Sequence, residues 1–115
     1  MIQIRADQLR TLARAGREPF VRKLLRHLRK LFPETLNARA DAELREWIQD
    51  GVERAEAYGM SMEYDVARFV EYMVYLGPDF DKSVPWAAQI LASAHTPGTL
   101  KMDLIDHFAS RPEIA

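Results

Sequence analysis

Asp103, Asp106 and His107 form the strongest acid–base constellation in this sequence. Asp103 and His107 stand four residues apart, so on a helix their side chains meet on one face. Catalysis or metal binding would also need a nucleophile or further ligands converging in space. Nothing in the sequence announces them, and a surface ion pair is expected. Asp79 and Asp81 flank Phe80 in a loop bounded by Pro78 and Pro85. Two loop carboxylates can bind calcium, but a calcium loop supplies more oxygens at regular spacing, with a glutamate at its end. Phe80 is expected to plug into the core with Trp86 beside it, while the two aspartates cap turns.

His27 sits among Arg26, Arg29 and Lys30, which disfavour its protonation. His95 falls in a turn. The chain has no phosphate-binding glycine loop, no His-Glu-x-x-His helix and no nucleophile elbow. It also has no cysteine, which excludes disulfides, thiolate zinc sites and cysteine nucleophiles. The expectation is a protein that is not an enzyme, with no catalytic, cofactor-binding or metal-binding residues and no cofactor.

Charge is segregated along the chain. Residues 1–31 carry nine Arg/Lys against Asp7 and Glu18, a formal +7, whereas the remainder carries seven against fifteen acids, a formal -8. Arg10, Arg14, Arg17, Arg22, Lys23, Arg26, Arg29 and Lys30 coat the polar surface of the first helical segment. Such a coat has three uses. It can match the acidic second helix (Asp41, Glu43, Glu46, Asp50, Glu53 and Glu56) or remain a solvated face. It can dock an acidic protein, or it can neutralise nucleic-acid phosphates. A membrane-surface role is disfavoured because the apolar side of the helix is needed for the core.

The elements that position these groups are all helical. From about Asp7 to Phe32, apolar residues at Leu9, Leu12, Phe20, Leu24, Leu28 and Leu31 recur in helical steps. Asp7 can cap the start. Pro19 interrupts the stripe, so the segment is read as one long helix kinked near Pro19, or as two helices meeting near Gly16–Pro19. A second helix is expected from Asp41 to Tyr58, stopped by Gly59. A third, capped by Ser61, runs from Met62 to Leu76 and ends at Gly77-Pro78. A short helix from Pro85 to Ser93 and a last one from Leu100 to Ala109 complete an irregular all-α bundle of about five helices. Tyr64, Tyr72, Met73 and Tyr75 are read as partly buried core in preference to a contact surface.

With 115 residues, 48% hydrophobic and 29% charged, the chain is expected to be one folded helical domain spanning 1–115. No stretch approaches the roughly 20 apolar residues of a membrane span. Met1-Ile2-Gln3-Ile4-Arg5 has no apolar signal core, so a cytoplasmic location is expected.

Several stretches carry a family resemblance. They are His27-Leu28-Arg29-Lys30-Leu31-Phe32-Pro33, Ile48-Gln49-Asp50-Gly51-Val52-Glu53-Arg54-Ala55, and Leu76-Gly77-Pro78-Asp79-Phe80-Asp81 followed by Pro85-Trp86. Together they resemble a family of small proteobacterial helical proteins associated with type VI secretion and toxin-effector gene neighbourhoods. The resemblance covers most of residues 5–108, and Pro19 departs from the uninterrupted first helix of that pattern. It implies an accessory protein (an effector co-chaperone, adaptor or regulator) or an immunity protein for a toxin, and it transfers no catalytic residue.

The leading expectation is therefore a protein-binding accessory factor whose partner is another protein, such as a secreted effector or its chaperone. Its contact residues are expected to be Arg22, Arg26, Arg29 and Lys30 on the first helix, with Asp79, Phe80, Asp81 and Trp86 in the loop. Nucleic-acid binding by the same helix is the alternative.

Overall fold

A computed structural model describes residues 16–110. Among these it contains seven helices and no strand: α1 (Arg17–Leu31), α2 (Pro33–Leu36), α3 (Asp41–Ala57), α4 (Glu63–Tyr75), α5 (Phe80–Ser83), α6 (Pro85–Leu91) and α7 (Gly98–Ala109). The five longest are the five expected from periodicity. The two single-turn helices, α2 and α5, are too short to show a period.

α1 forms because Phe20, Val21, Leu24 and Leu28 make one buried stripe. Gly16 is its N-cap, so Pro19 falls in the first turn, where an N–H has no intrahelical partner to lose. From Arg17 onward α1 is uninterrupted. The segment expected to precede the kink, with Asp7, Leu9, Arg10, Leu12 and Arg14, lies outside the described residues. Pro33 ends α1 as expected and also starts α2, which buries Leu36. The expected Ser61 cap stands one residue too early: the N-cap of α4 is Met62, where the backbone is extended. Gly59 and Gly77 take positive φ values of 92° and 115°, the left-handed geometry that ends α3 and α4.

α4 is the centre of the molecule. It packs against α3 and α1 on one side and against α7 on the other. Ten of its thirteen residues are buried, which leaves it no solvated face. Val66, Phe69, Val70 and Met73 fill the apolar core, and Glu63, Asp65, Arg68 and Glu71 are carried inside with them.

Two glycines mark close approaches with opposite consequences. A Cβ at Gly98 would lie 2.6 Å from the Gly59 carbonyl oxygen and 2.9 Å from the Met60 Cα, so α7 begins directly on the turn after α3. Backbone cannot yield there, and Gly98→Ala is expected to destabilise by about 1–3 kcal/mol. A Cβ at Gly51 would meet the Met73 sulfur at 2.6 Å, the adaptable part of a flexible side chain. Alanine also favours the helix by roughly 1 kcal/mol over glycine. Gly51→Ala should therefore be close to neutral, and urea midpoints of the two variants check the contrast.

Candidate functional site

The groups singled out by spacing on the last helix are used by an arginine on another one. Arg68, with only 2% of its side chain exposed, donates from Nη2 to Asp65 Oδ1 at 2.7 Å. Its Nη1 donates to Asp106 Oδ2 at 2.7 Å and to Asp103 Oδ1 at 3.0 Å. Tyr72 Oη donates to the other Asp106 oxygen at 2.7 Å, and Thr99 Oγ1 to Asp65 Oδ2 at 2.5 Å. The Tyr64 ring centroid lies 4.5 Å from the guanidinium carbon. Burial opposes the charge on Arg68, but hydrogen bonds to Asp65, Asp106 and Asp103 outweigh it and push the pKa up. The expected Asp103–His107 pair is thus replaced: Asp103 turns to Arg68, while the His107 ring stands edge-on to Phe108 at 5.4 Å.

Beside this network lies a partly open cavity of about 550 Å³ between α1, α4 and α7, lined by Leu31, Phe32, Tyr64, Glu71, Tyr72, Tyr75, Asp106, Ala109 and Ser110. The tyrosine stripe is split by it. Met73 and Tyr72 are buried, Tyr64 is half-buried and Tyr75 is 62% exposed at the rim. Glu71 is 4% exposed, and its Oε2 lies 3.3 Å from His27 Nε2. Burial, reinforced by the Asp106 carboxylate and opposed by Arg68, pushes the Glu71 carboxyl up to about 7. Burial and the neighbouring Lys30 charge lower His27. Both shifts run toward the uncharged form of each group at this contact between α1 and α4.

This pair sets a pH dependence. Glu71 titrates at about 7 in the fold against an ordinary 4.5, so between those values the folded chain holds a proton that the unfolded chain has lost. Its contribution to stability falls as pH rises through that window. His27, lowered from 6.5, acts in the opposite direction. Glu71→Gln removes the first effect and leaves the second. It should match wild type near pH 4.5 and exceed it at about pH 8 by about 1–3 kcal/mol in urea denaturation.

The basic surface of α1 divides into inward and outward halves. Arg17 pairs with Glu56 on α3 at 2.5 Å. Arg29 donates from Nε and Nη2 to Asp41 Oδ1 at 2.9 and 2.7 Å, and also to the Leu36 and Arg39 carbonyls. Lys23 reaches Glu63 on α4 at 3.5 Å. Arg29, expected as a partner contact, ties α1 to the turn before α3 and remains 30% exposed. Arg22, Arg26 and Lys30 are exposed at steps of four, opposite the buried stripe, and make no ion pair among the described residues.

No protein-family model, curated protein or solved structure matches the chain. Among the described residues, no helix is long and apolar enough to cross a membrane.

In the Asp79–Trp86 loop, Phe80 and Asp81 are buried and so depart from their expected contact role. Phe80 is fully buried, with its ring centroid 5.1 Å from Phe69 and 6.1 Å from Tyr72. Asp81 is buried as the partner of Arg54 and accepts from Tyr58 Oη at 2.7 Å. Burial and that hydrogen bond push the Tyr58 phenol up to about 12. Asp81 therefore holds α5 to α3 and caps no turn. Asp79 remains exposed and makes no side-chain cap to α5. Trp86 is half-buried, stacked on Phe108 at 6.1 Å. Neither Phe80 nor Asp81 is available to a partner.

Sequence reasoning passed over Arg68, Glu71 and Lys101. Lys101 is 5% exposed and donates from Nζ to the Tyr58 carbonyl at 2.8 Å, capping the end of α3. A signal for the first two was present. The charges at Glu63, Asp65, Arg68 and Glu71 are spread around a helix whose other positions are mostly apolar. A helix without a polar face is buried all round, and its charges then need partners.

Proposed function

We propose that this protein is a non-enzymatic protein-binding accessory factor that presents the outer face of α1 to an acidic surface on its partner. The observation that carries this reading is the unmatched row Arg22, Arg26 and Lys30. Its neighbours Arg17, Lys23 and Arg29 are consumed by acids on α3 and α4, so the internal requirement for positive charge is met without the row. A file of exposed cations on a rigid helix steers an oppositely charged surface and sets its register. The family resemblance supplies candidate partners, a secreted effector or its chaperone, and an immunity role toward a toxin uses the same kind of contact.

The test is affinity capture from native extract after nuclease treatment, at two salt concentrations, with wild type and with Arg22→Glu/Arg26→Glu/Lys30→Glu. All three side chains are exposed, so the variant should keep its helical circular dichroism. The expected result is one stoichiometric protein with wild type and a recovery about tenfold lower or worse with the variant. Equal recovery would remove this face from the account. Recovery of nucleic acid alone, in a control without nuclease and lost at high salt, would favour phosphate binding by the same row.

A further inference from the structure

The cavity between α1, α4 and α7 makes a different chemical demand from the basic row. Phe32, Tyr64, Tyr72 and Tyr75 are among the residues that line it, together with the acids Glu71 and Asp106. Among the described residues that line it there is no Arg, Lys or His. Aromatic faces and carboxylates both attract positive charge and repel anions, and together they make the setting in which ammonium and guanidinium groups are recognised. At about 550 Å³ the space falls in the range of sites that enclose a ligand group.

We propose that this cavity binds the cationic end of a lysine or arginine side chain presented by a partner protein. The two acids have separate roles. Asp106 is already held by Arg68 and by the Tyr72 hydroxyl, which fixes its position in the wall. Glu71, almost wholly buried, touches His27 through one oxygen and is the carboxylate that an incoming cation would neutralise. The chain already applies the same chemistry once, since Arg68 lies against the Tyr64 ring with three carboxylates around it.

The rim favours a protein side chain over a free amine. The large hydrophobics exposed among the described residues are Leu31, Tyr75 and Leu100, and the first two stand at this cavity. A small amine would fill the hole and leave that rim wet. A chain carrying the basic residue would cover it, and exposed apolar surface beside a pocket is a mark of protein contact.

Occupancy should depend on pH. Among the described residues, the charged and titratable groups facing Glu71 are His27 from α1, Arg68, Tyr64, Tyr72 and Tyr75 on α4, and Asp106 from α7, with Lys30 beside His27. Loss of the Glu71 proton creates the charge that a cation prefers, so affinity should rise from about pH 6 to about pH 8.

The experiment is an amide-resolved NMR titration of the full chain at about pH 8. The probes are a capped Ala-Leu-Lys-Leu-Ala peptide, its arginine counterpart, the same peptide with norleucine in place of lysine, and butylamine. Saturable shifts in the amides of Tyr72, Tyr75 and Ala109 with the lysine or arginine peptide are expected, about tenfold tighter than with butylamine. The norleucine peptide should not saturate. Glu71→Gln, which keeps shape and removes charge, should weaken the cationic peptides by about tenfold at about pH 8 and remove the part of their pH dependence that comes from Glu71. Tyr75→Ala should weaken the peptides more than butylamine, because it removes part of the rim as well as one aromatic residue of the lining. Equal binding of norleucine and lysine peptides, or no saturation by about 10 mM peptide, would overturn cation recognition. Butylamine binding as tightly as the peptides would overturn the partner side chain as the source. Neither the substituted residues nor the reporting amides include Arg22, Arg26 or Lys30, so the peptide titration at about pH 8 and the capture experiment on the α1 surface fail or stand separately.

Discussion

Arg68→Ala is expected to destabilise the protein by about 3–5 kcal/mol, the cost of breaking a buried ion pair from one side. The loss falls mainly on Asp65. Its side chain is 2% exposed, whereas Asp106 and Asp103 are 28% and 59% exposed and can turn to water. After the substitution Asp65 would keep, among the described residues, only its bond from Thr99 Oγ1, too little to hold a buried carboxylate. Arg68→Lys should recover less than half of this loss, because one ammonium cannot reproduce the two guanidinium nitrogens that reach three carboxylates. Asp65→Asn combined with Arg68→Met should be milder than Arg68→Ala, since it removes both charges and fills the space. Urea unfolding of the four proteins at one pH checks the order. A loss below about 1 kcal/mol for Arg68→Ala would mean the network contributes no more than a surface pair.

Phe80→Ala should be comparably damaging, at about 3–5 kcal/mol. The ring is fully buried between Phe69 and Tyr72, and α5 is a single turn with no other apolar anchor of that size. Its loss should also loosen Asp81 from Arg54 and Tyr58, because the two residues are neighbours on that turn. Asp79→Ala, one position earlier and exposed, should stay within about 0.5 kcal/mol of wild type. Thermal unfolding of the two single variants separates a core role for this loop from a contact role. Similar mild effects would return Phe80 to the surface.

The contrast within residues 79–81 shows where local pattern stopped being informative. The sequence marked the Phe80 ring as a core plug. It also offered the whole proline-bounded loop as a contact surface, and those expectations cannot both hold for the same side chain. The choice is made by Arg54 and Tyr58 on α3, which reach across to Asp81 and draw the turn inward. Likewise Asp103 and His107 carried the right spacing for a pair, and a buried arginine displaced it. A charge enclosed by protein has lost its water and competes for acids more strongly than a surface histidine does.

The row on α1 was partly legible. The stripe Phe20, Leu24 and Leu28 defines which way the helix faces, so Arg22, Arg26 and Lys30 fall on the far side by periodicity alone. Arg29 could not be assigned in this way. It lies at the flank, and its partners Asp41, Leu36 and Arg39 are set by the tight path of α2 back onto α1. The cavity was legible only as a stripe of tyrosines without a known environment.

Local residue patterns alone set the all-α class, the five longer helices, their ends at Pro33, Gly59 and Gly77, and the inward faces of α1 and α3, but not that of α7, where Leu100 is exposed and Met102 is buried. These depend on residues three or four apart, whose geometry the helix imposes before anything else packs. Which charges are paired inside and which stay exposed was settled by the packing of helices. Arg68 and Asp106 are 38 residues apart, Arg54 and Asp81 27, and His27 and Glu71 44. Those pairings follow from the order in which helices stack around α4, and no local period encodes the angle or register at which one helix meets another.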